Sequence, residues 1–190
     1  MRLGVMCSGK GSNFENIVRT CDKHEVVLMI HNKENCGAAK RADKLGIPHC
    51  CIKMKNEDQI VQLFQAWRVD LIVLAGWMRV LSKDFIDAFP DKIMNIHPSL
   101  LPKYKGLHAI EQTFESGDTL AGCTVHMVTE ELDSGKILEQ SAIPIEVNDT
   151  IESLTDRIHR EEYRILPLAI DRYAKSRFIS YQNMGREVRP

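Results

Sequence analysis

The chain has 190 residues, 44% apolar and 27% charged, with 25 Lys and Arg against 26 Asp and Glu for a formal net charge of −1. This length suits a single domain over residues 1–190 with a real core. The near-zero charge argues against broad, non-specific nucleic-acid binding and leaves room only for a local basic patch. No apolar run is long enough to span a bilayer, so no membrane partner is expected.

The first residues, MRLGVMCS, turn polar too soon for a signal peptide and are expected to open a strand over 3–7 in a cytoplasmic protein. A helix over 13–21 follows, then a strand over 26–30, a helix over 35–45, a strand over 48–52 and a helix over 58–67. Residues 70–75, DLIVLA, form an apolar run after an acidic start, the mark of a central strand buried on both faces. Ser82 is placed to cap the helix carrying Phe85 and Phe89, and 92–97 is another strand. This alternation predicts an α/β fold, a Rossmann-like and mostly parallel central sheet with helices on both faces. The C-terminal half is antiparallel in flavour: strands over 121–128 and 136–145 flank a polar turn. A long helix from 151 to about 176 is expected to break near Pro167, and 177–190 reads as a loosely held polar tail.

Cys7, Cys21, Cys36, Cys50, Cys51 and Cys123 contain no C-x-x-C pair. They fit neither a zinc site nor a disulfide framework and are read as free thiols.

Three stretches carry candidate chemistry. SGKGSN (8–13) sits between the first strand and first helix, where glycines allow close approach and a helix N-terminus suits a phosphate. The alternative is a plain tight turn capped by Ser12 or Asn13. In NIHPSLLPKYKGLH (95–108), Asn95 and His97 alternate at a strand's carboxyl end, so both project to one face where open α/β sheets bind ligands. Asn can donate to an oxyanion and His can donate or move a proton; a structural Asn and a satisfied His are the alternative. TEELDSG (129–135) holds three carboxylates, which by themselves describe a solvated turn or a cation site. His108 and His126 are likewise more often structural or exposed than catalytic.

Taken in order, SGKGSN, LAGWMRVLS (74–82), NIHPSLLPKYKGLH, AGCTVHMVTEELDSG (121–135) and EEYRILP (161–167) resemble the folate-dependent formyltransferases over residues 3 to about 170. The opening SGKGSN is similar to the phosphoribosylglycinamide branch of that family. The resemblance implies transfer of the formyl group of 10-formyltetrahydrofolate to the amine of 5-phosphoribosylglycinamide, giving 5-phosphoribosyl-N-formylglycinamide in de novo purine (IMP) biosynthesis. It implies no metal, small-molecule partners only, and a monomer or homodimer.

The resemblance also implies roles for individual residues. Asn95, His97 and Asp133 are the catalytic set, with His108 in support. Gly11, Ser12 and Asn13 match the residues that hold the ribose phosphate, and Glu162 matches a carboxylate near the ribose. Met78, Arg79, Val80 and Leu81 match a segment lining the folate ring, together with Asn95 and with Thr129, Glu130, Glu131, Leu132 and Asp133. Trp77, Val80 and Leu81 would supply apolar wall. The chemistry is coherent: Asn95 and a protonated His97 would bind the oxyanion, and losing one such donor typically costs about 10²–10³ in rate. Asp133 nearby would favour the imidazolium, and His97, with water held by Asp133, would shuttle the proton. Pro98 and Pro102 are expected to stiffen a loop covering the site. Relatives often meet the folate's glutamate tail with an arginine after the third strand, whereas Lys53-Met54-Lys55-Asn56-Glu57 offers only lysines and leaves that contact unassigned.

Rival readings within the family are methionyl-tRNA formyltransferase, which carries a further C-terminal domain, formyltetrahydrofolate deformylase, which carries an N-terminal regulatory domain, and a sugar-nucleotide amine formyltransferase. The length of the chain is expected to set it apart from the first two. A nucleotide-binding module without chemistry is the rival of another class, and it assigns Asp133 no role.

Overall fold

The computed structural model describes residues 1–53 and 56–184, the stretch 179–184 through its backbone only. Met54 and Lys55 of the lysine-rich segment, and 185–190 of the expected polar tail, lie outside the described residues. Strands β1 (Arg2–Cys7), β2 (Glu25–His31), β3 (His49–Cys51), β4 (Leu71–Leu74), β5 (Ile93–His97), β6 (Leu120–Met127) and β7 (Ile137–Pro144) make one sheet in the order β3-β2-β1-β4-β5-β6-β7. The first five run parallel; β6 pairs antiparallel to β5, and β7 antiparallel to β6. This is the expected parallel sheet with an antiparallel C-terminal half.

Period-two alternation divides the core between the two faces. In β1, Leu3, Val5 and Cys7 join the cluster that holds Phe14 and Ile17 of helix α1 (Ser12–Thr20) and Leu154, Ile158 and Leu166 of helix α6 (Ile151–Met184). Helix α2 (Gly37–Leu45) adds Ala38 and Ala42 to that face. Met6 points the other way, into a second cluster with Ile60 and Phe64 of helix α3 (Glu57–Ala66) and Phe85 of helix α4 (Lys83–Ala88). Phe64 lies over Gly4, where a Cβ would come within 2.7 Å of its ring, so this position admits no side chain. All four residues of β4 are buried, Leu71 and Val73 on one face and Ile72 and Leu74 on the other, as the apolar run predicts.

One expectation, the break at Pro167, and one alternative, the side-chain cap on α1, need correction. Pro167 does not interrupt α6, which runs unbroken to Met184 and so takes in the start of the presumed tail. Proline deletes the amide that would bond the carbonyl four residues back, which is that of Tyr163. Asn16 of α1 donates its side-chain amide to that same carbonyl at 2.9 Å, so nothing is left unsatisfied. The residues flanking Pro167 on the buried side, Leu166, Ala169 and Ile170, hold the helix against the sheet. Neither Ser12 nor Asn13 caps α1: the N-cap is Gly11, in the left-handed region at φ 75°, with no side-chain cap bond. A Cβ on Gly11 would sit 2.6 Å from Ala38 Cα, so the turn is built from glycine and packing instead.

The chain leaves β1 toward β2 and β3, then returns to β4 and β5 on the other side. The crevice at this reversal, beyond the strands' carboxyl ends, is where open α/β sheets bind ligands. Here the loops after β1 and β4 are tied together: Ser8 N–H donates to the Gly76 carbonyl at 3.0 Å, and Met78 N–H donates to Ser8 Oγ at 3.0 Å.

Candidate active site

Along β5, Met94 and Ile96 enter the α1/α6 core, so Asn95 and His97 emerge on the opposite face. Along β6, Cys123 and Val125 enter that core, which brings Thr124 and His126 out beside them. The antiparallel register sets His126 directly across from Asn95, and Thr124 across from His97. Two loops, 98–108 and 128–136, roof this patch.

Asp133 reaches down from the second loop and gathers the patch into one cluster. Its Oδ2 lies 3.5 Å from His97 Nδ1, and its Oδ1 lies 3.4 Å from His126 Nε2 and 3.5 Å from Asn95 Nδ2. Asn95 Nδ2 is also 3.2 Å from His126 Nε2. Gly106 N–H donates to Asp133 Oδ2 at 2.8 Å, joining the two loops. The outward nitrogens of both rings are pinned to backbone carbonyls, which only accept: His97 Nε2–H donates to Tyr104 O at 2.8 Å and His126 Nδ1–H to Met127 O at 2.9 Å. A further proton on either ring therefore lands on the nitrogen that faces Asp133. The side chains of His97 and Asp133 are each 7% exposed.

Burial alone would raise the Asp133 carboxyl pKa, but the hydrogen bonds from His126 and Gly106 N–H and the charge of the two imidazoles hold it below the usual carboxylate range. Asp133 stands in the left-handed region at φ 48°, and so does Tyr104 at φ 54°, whose carbonyl orients His97. Such conformations cost about 1–3 kcal/mol each for non-glycine residues and persist where neighbours over-determine them. The neighbours are visible. Gly135 leaves the turn no room for a side chain, since a Cβ there would lie 1.8 Å from the Met127 carbonyl. The first loop is fastened by Thr124 Oγ–H donating to Ser99 O at 2.7 Å, Ser99 Oγ–H donating to Lys103 O at 2.7 Å, and Tyr104 O–H donating to Asp118 at 2.8 Å. The proline-bearing segment is thus a shaped, anchored loop.

The structure sorts the other candidates. Asn13 and Glu162 meet through Asn13 Nδ2 donating to Glu162 Oε2 at 2.8 Å, both buried, with Asn13 Oδ1 left without a partner. Burial raises the Glu162 carboxyl above its usual range, with the Asn13 bond opposing. Gly11 and Ser12 begin the helix that carries Asn13. Met78 and Val80 are exposed, as are Leu107 and Leu132 on the roofing loops, whereas Trp77 and Leu81 are packed into the α3/α4 core behind them. Arg79 is exposed. Glu130 pairs with Lys83 at 2.7 Å, Glu131 with Lys105 at 3.2 Å, and Thr129 Oγ–H donates to Glu131 O. His108 lies outside the cluster: it is the left-handed N-cap of helix α5 (Ala109–Glu115), with a side chain 77% exposed and Nδ1 3.9 Å from Glu111. His126, which the sequence reads as more often structural than catalytic, also meets the Asp133 carboxylate. Its signal was the alternation along β6, but only the strand register shows that it faces Asn95.

The sequence profile of the formyl transferase family matches residues 1–170. The chain is 38% identical over 195 residues to the phosphoribosylglycinamide formyltransferase of Haemophilus influenzae, covering 97% of this chain and 92% of that protein. It is 42% identical over 182 residues to the trifunctional purine biosynthetic protein adenosine-3 of Drosophila melanogaster, covering 89% of this chain but 14% of that much longer protein. The corresponding chicken protein is likewise spanned over only 18% of its length. The crystal structure of phosphoribosylglycinamide formyltransferase from Anaplasma phagocytophilum superposes with a TM-score of 0.87 at 39% identity, covering 90% of this chain and 85% of that one. That from Brucella melitensis gives 0.85 at 39% identity, covering 91% and 95%. The chain belongs to the formyl transferase family.

Proposed function

We propose that this protein transfers the formyl group of 10-formyltetrahydrofolate to the amine of 5-phosphoribosylglycinamide. The observation that carries the reading is the convergence of Asn95, His97 and Asp133 within 3.5 Å contacts beneath two anchored loops. The tight bonds of the cluster, from Gly106 N–H and to the Tyr104 and Met127 carbonyls, hold its frame. The loose contacts are those from Asn95 Nδ2 and His97 Nδ1 to the carboxylate, and these are the donors that a reacting oxygen can engage.

The amine nitrogen bonds to the formyl carbon, and the carbonyl π pair moves onto oxygen. Asn95 Nδ2 and the His97 imidazolium stabilise that oxyanion. On collapse the bond to the folate nitrogen breaks. One proton leaves the amine and one arrives at the folate nitrogen, with the His97–Asp133 pair as the relay between them. His126, bonded to the same carboxylate, holds it ionised and oriented.

Met78, Val80, Leu107 and Leu132 are exposed apolar side chains on the loops beside the cluster, which fits a flat pterin ring needing apolar walls. Gly11, Ser12 and Asn13 suit the ribose phosphate at the start of α1, and Glu162 suits a ribose hydroxyl. All six thiols are free, which fits chemistry in the reducing cytoplasm. The cluster comes from one chain, so a monomer or a homodimer serves equally.

The test offers purified protein the donor with phosphoribosylglycinamide, with charged initiator tRNA, or with water alone. Donor consumption only with phosphoribosylglycinamide supports the reading; consumption only with tRNA, or without any acceptor, removes it.

A further inference from the structure

On the far side of the 9–11 loop, α1 and α2 enclose an open groove of about 470 Å³. It is lined by five cations, Lys10, Arg19, Lys40, Arg41 and Lys44, against one carboxylate, Glu15. This is a strong local imbalance in a chain whose net charge is −1. Glu15 is already engaged, since both Arg19 and Arg41 pair with it. Arg41 is further fixed by its Nε–H donating to the Lys10 carbonyl at 3.0 Å. The ammonium groups of Lys10, Lys40 and Lys44 meet no carboxylate among the described residues.

Among the described residues, the three ammonium groups stand close together with no carboxylate between them. Lys40 and Lys44 stand one turn apart on α2, where like charges repel. Lys10 adds a third charge from the neighbouring loop. The frame is nevertheless rigid. Gly37 packs against Lys10, where a Cβ would lie 2.7 Å from its carbonyl, and Ala38 N–H donates to the Gly9 carbonyl at 3.1 Å. A preformed cleft with several unanswered ammonium groups calls for a compact ligand carrying more negative charge than one phosphate monoester supplies.

We propose that the α1/α2 groove is a second anion site, distinct from the phosphate-binding turn at Gly11–Asn13, and that it takes a polyphosphate chain such as that of a nucleoside triphosphate. Lys10, Lys40 and Lys44 contact the chain, and the Arg41–Glu15 pair forms the floor.

Calorimetric titration of the free protein with tripolyphosphate and with adenosine triphosphate tests this without any turnover, so the outcome is separate from that of the formyl-transfer assay. The wild type is expected to bind one equivalent, with affinity falling steeply as salt rises. K40A/K44A, which alters two exposed helix positions to a good helix former, is expected to melt as the wild type does and to lose tenfold or more in affinity. Adenosine monophosphate is expected to bind at least tenfold more weakly than the triphosphate. No saturable binding, equal binding by wild type and K40A/K44A, or equal affinity for mono- and triphosphate would overturn the proposal.

Discussion

Asp133 Oδ2 stands 3.5 Å from His97 Nδ1, while the ring's other nitrogen donates to the Tyr104 carbonyl at 2.8 Å. This pairing orients the ring before any substrate arrives. A neutral ring would turn a lone pair toward a carboxylate, whereas the imidazolium turns a donor toward it. The second imidazole, of His126, is disposed around the same carboxylate in the same sense.

His126→Phe therefore tests whether the second imidazole sustains the ionised Asp133. The hydrogen bond from His126 is the largest influence lowering the Asp133 pKa against burial. Removing it raises that pKa, so the acid limb of the pH–kcat profile is expected to move to higher pH, with kcat at pH 7 falling about tenfold or more. An unmoved acid limb would show that His126 only fills space. The sign for stability follows from the same shift. A depressed carboxyl pKa stabilises the fold above the unfolded value, about 3.9 for Asp, and that contribution disappears as pH falls through the folded value.

Gly135→Ala should disable the site while sparing the core. The added methyl would lie 1.8 Å from the Met127 carbonyl, so the turn must open and Asp133 must move. Turnover is expected to fall at least a hundredfold with far-UV circular dichroism unchanged. Near-normal turnover would show that the turn adapts without displacing the carboxylate.

Glu162→Gln should separate stability from binding. The Glu162 pKa is raised by burial, so the folded-state benefit of the protonated form is complete below the unfolded value, about 4.3, and is lost as pH rises through the folded one. The variant replaces a carboxyl whose ionised form burial disfavours with a neutral amide that keeps an acceptor for Asn13. Its melting temperature is expected to rise by about 2–4 °C, the shift that ~1 kcal/mol gives in a domain of this size. At pH 4 the gain should shrink, and KM for the phosphoribosyl substrate should rise at either pH. A lower melting temperature at pH 7 would contradict the assignment.

Asn16→Ala should cost about 1 kcal/mol, because the Tyr163 carbonyl opposite Pro167 then loses its donor. In a Pro167→Ala background the helix supplies its own amide to that carbonyl, and the cost of Asn16→Ala should fall below half. Equal costs in both backgrounds, measured by urea denaturation, would mean that Asn16 acts elsewhere.

Much of the fold was legible in the sequence because burial and period speak for themselves. The run LIVL of β4, set after an acidic residue and among alternating strands and helices, reads as a strand covered on both faces, and Asn95 and His97 share a face by alternation. What was not legible depended on distant partners. Pro167 reads as a break until Asn16, far back in the chain, is seen answering the freed carbonyl. His126 reads as structural until the β5–β6 register sets it opposite Asn95. His108, drawn toward the site by its motif, stands at the left-handed N-cap position of α5 with its side chain exposed. The resemblance makes Trp77 and Leu81 an apolar wall, and both are packed into the α3/α4 core behind the exposed Met78 and Val80.

The most direct measurement follows a donor carrying a ¹³C-labelled formyl group in a single turnover with saturating phosphoribosylglycinamide, comparing wild type and Asp133→Asn. Asn keeps the size of Asp133 and tolerates its left-handed backbone, but carries no charge. The label is expected on the substrate amine with the wild type, and to arrive at least about a hundredfold more slowly with the variant while nucleotide binding stays intact. Transfer by the variant at the wild-type rate, or label released as formate by the wild type, would contradict the account.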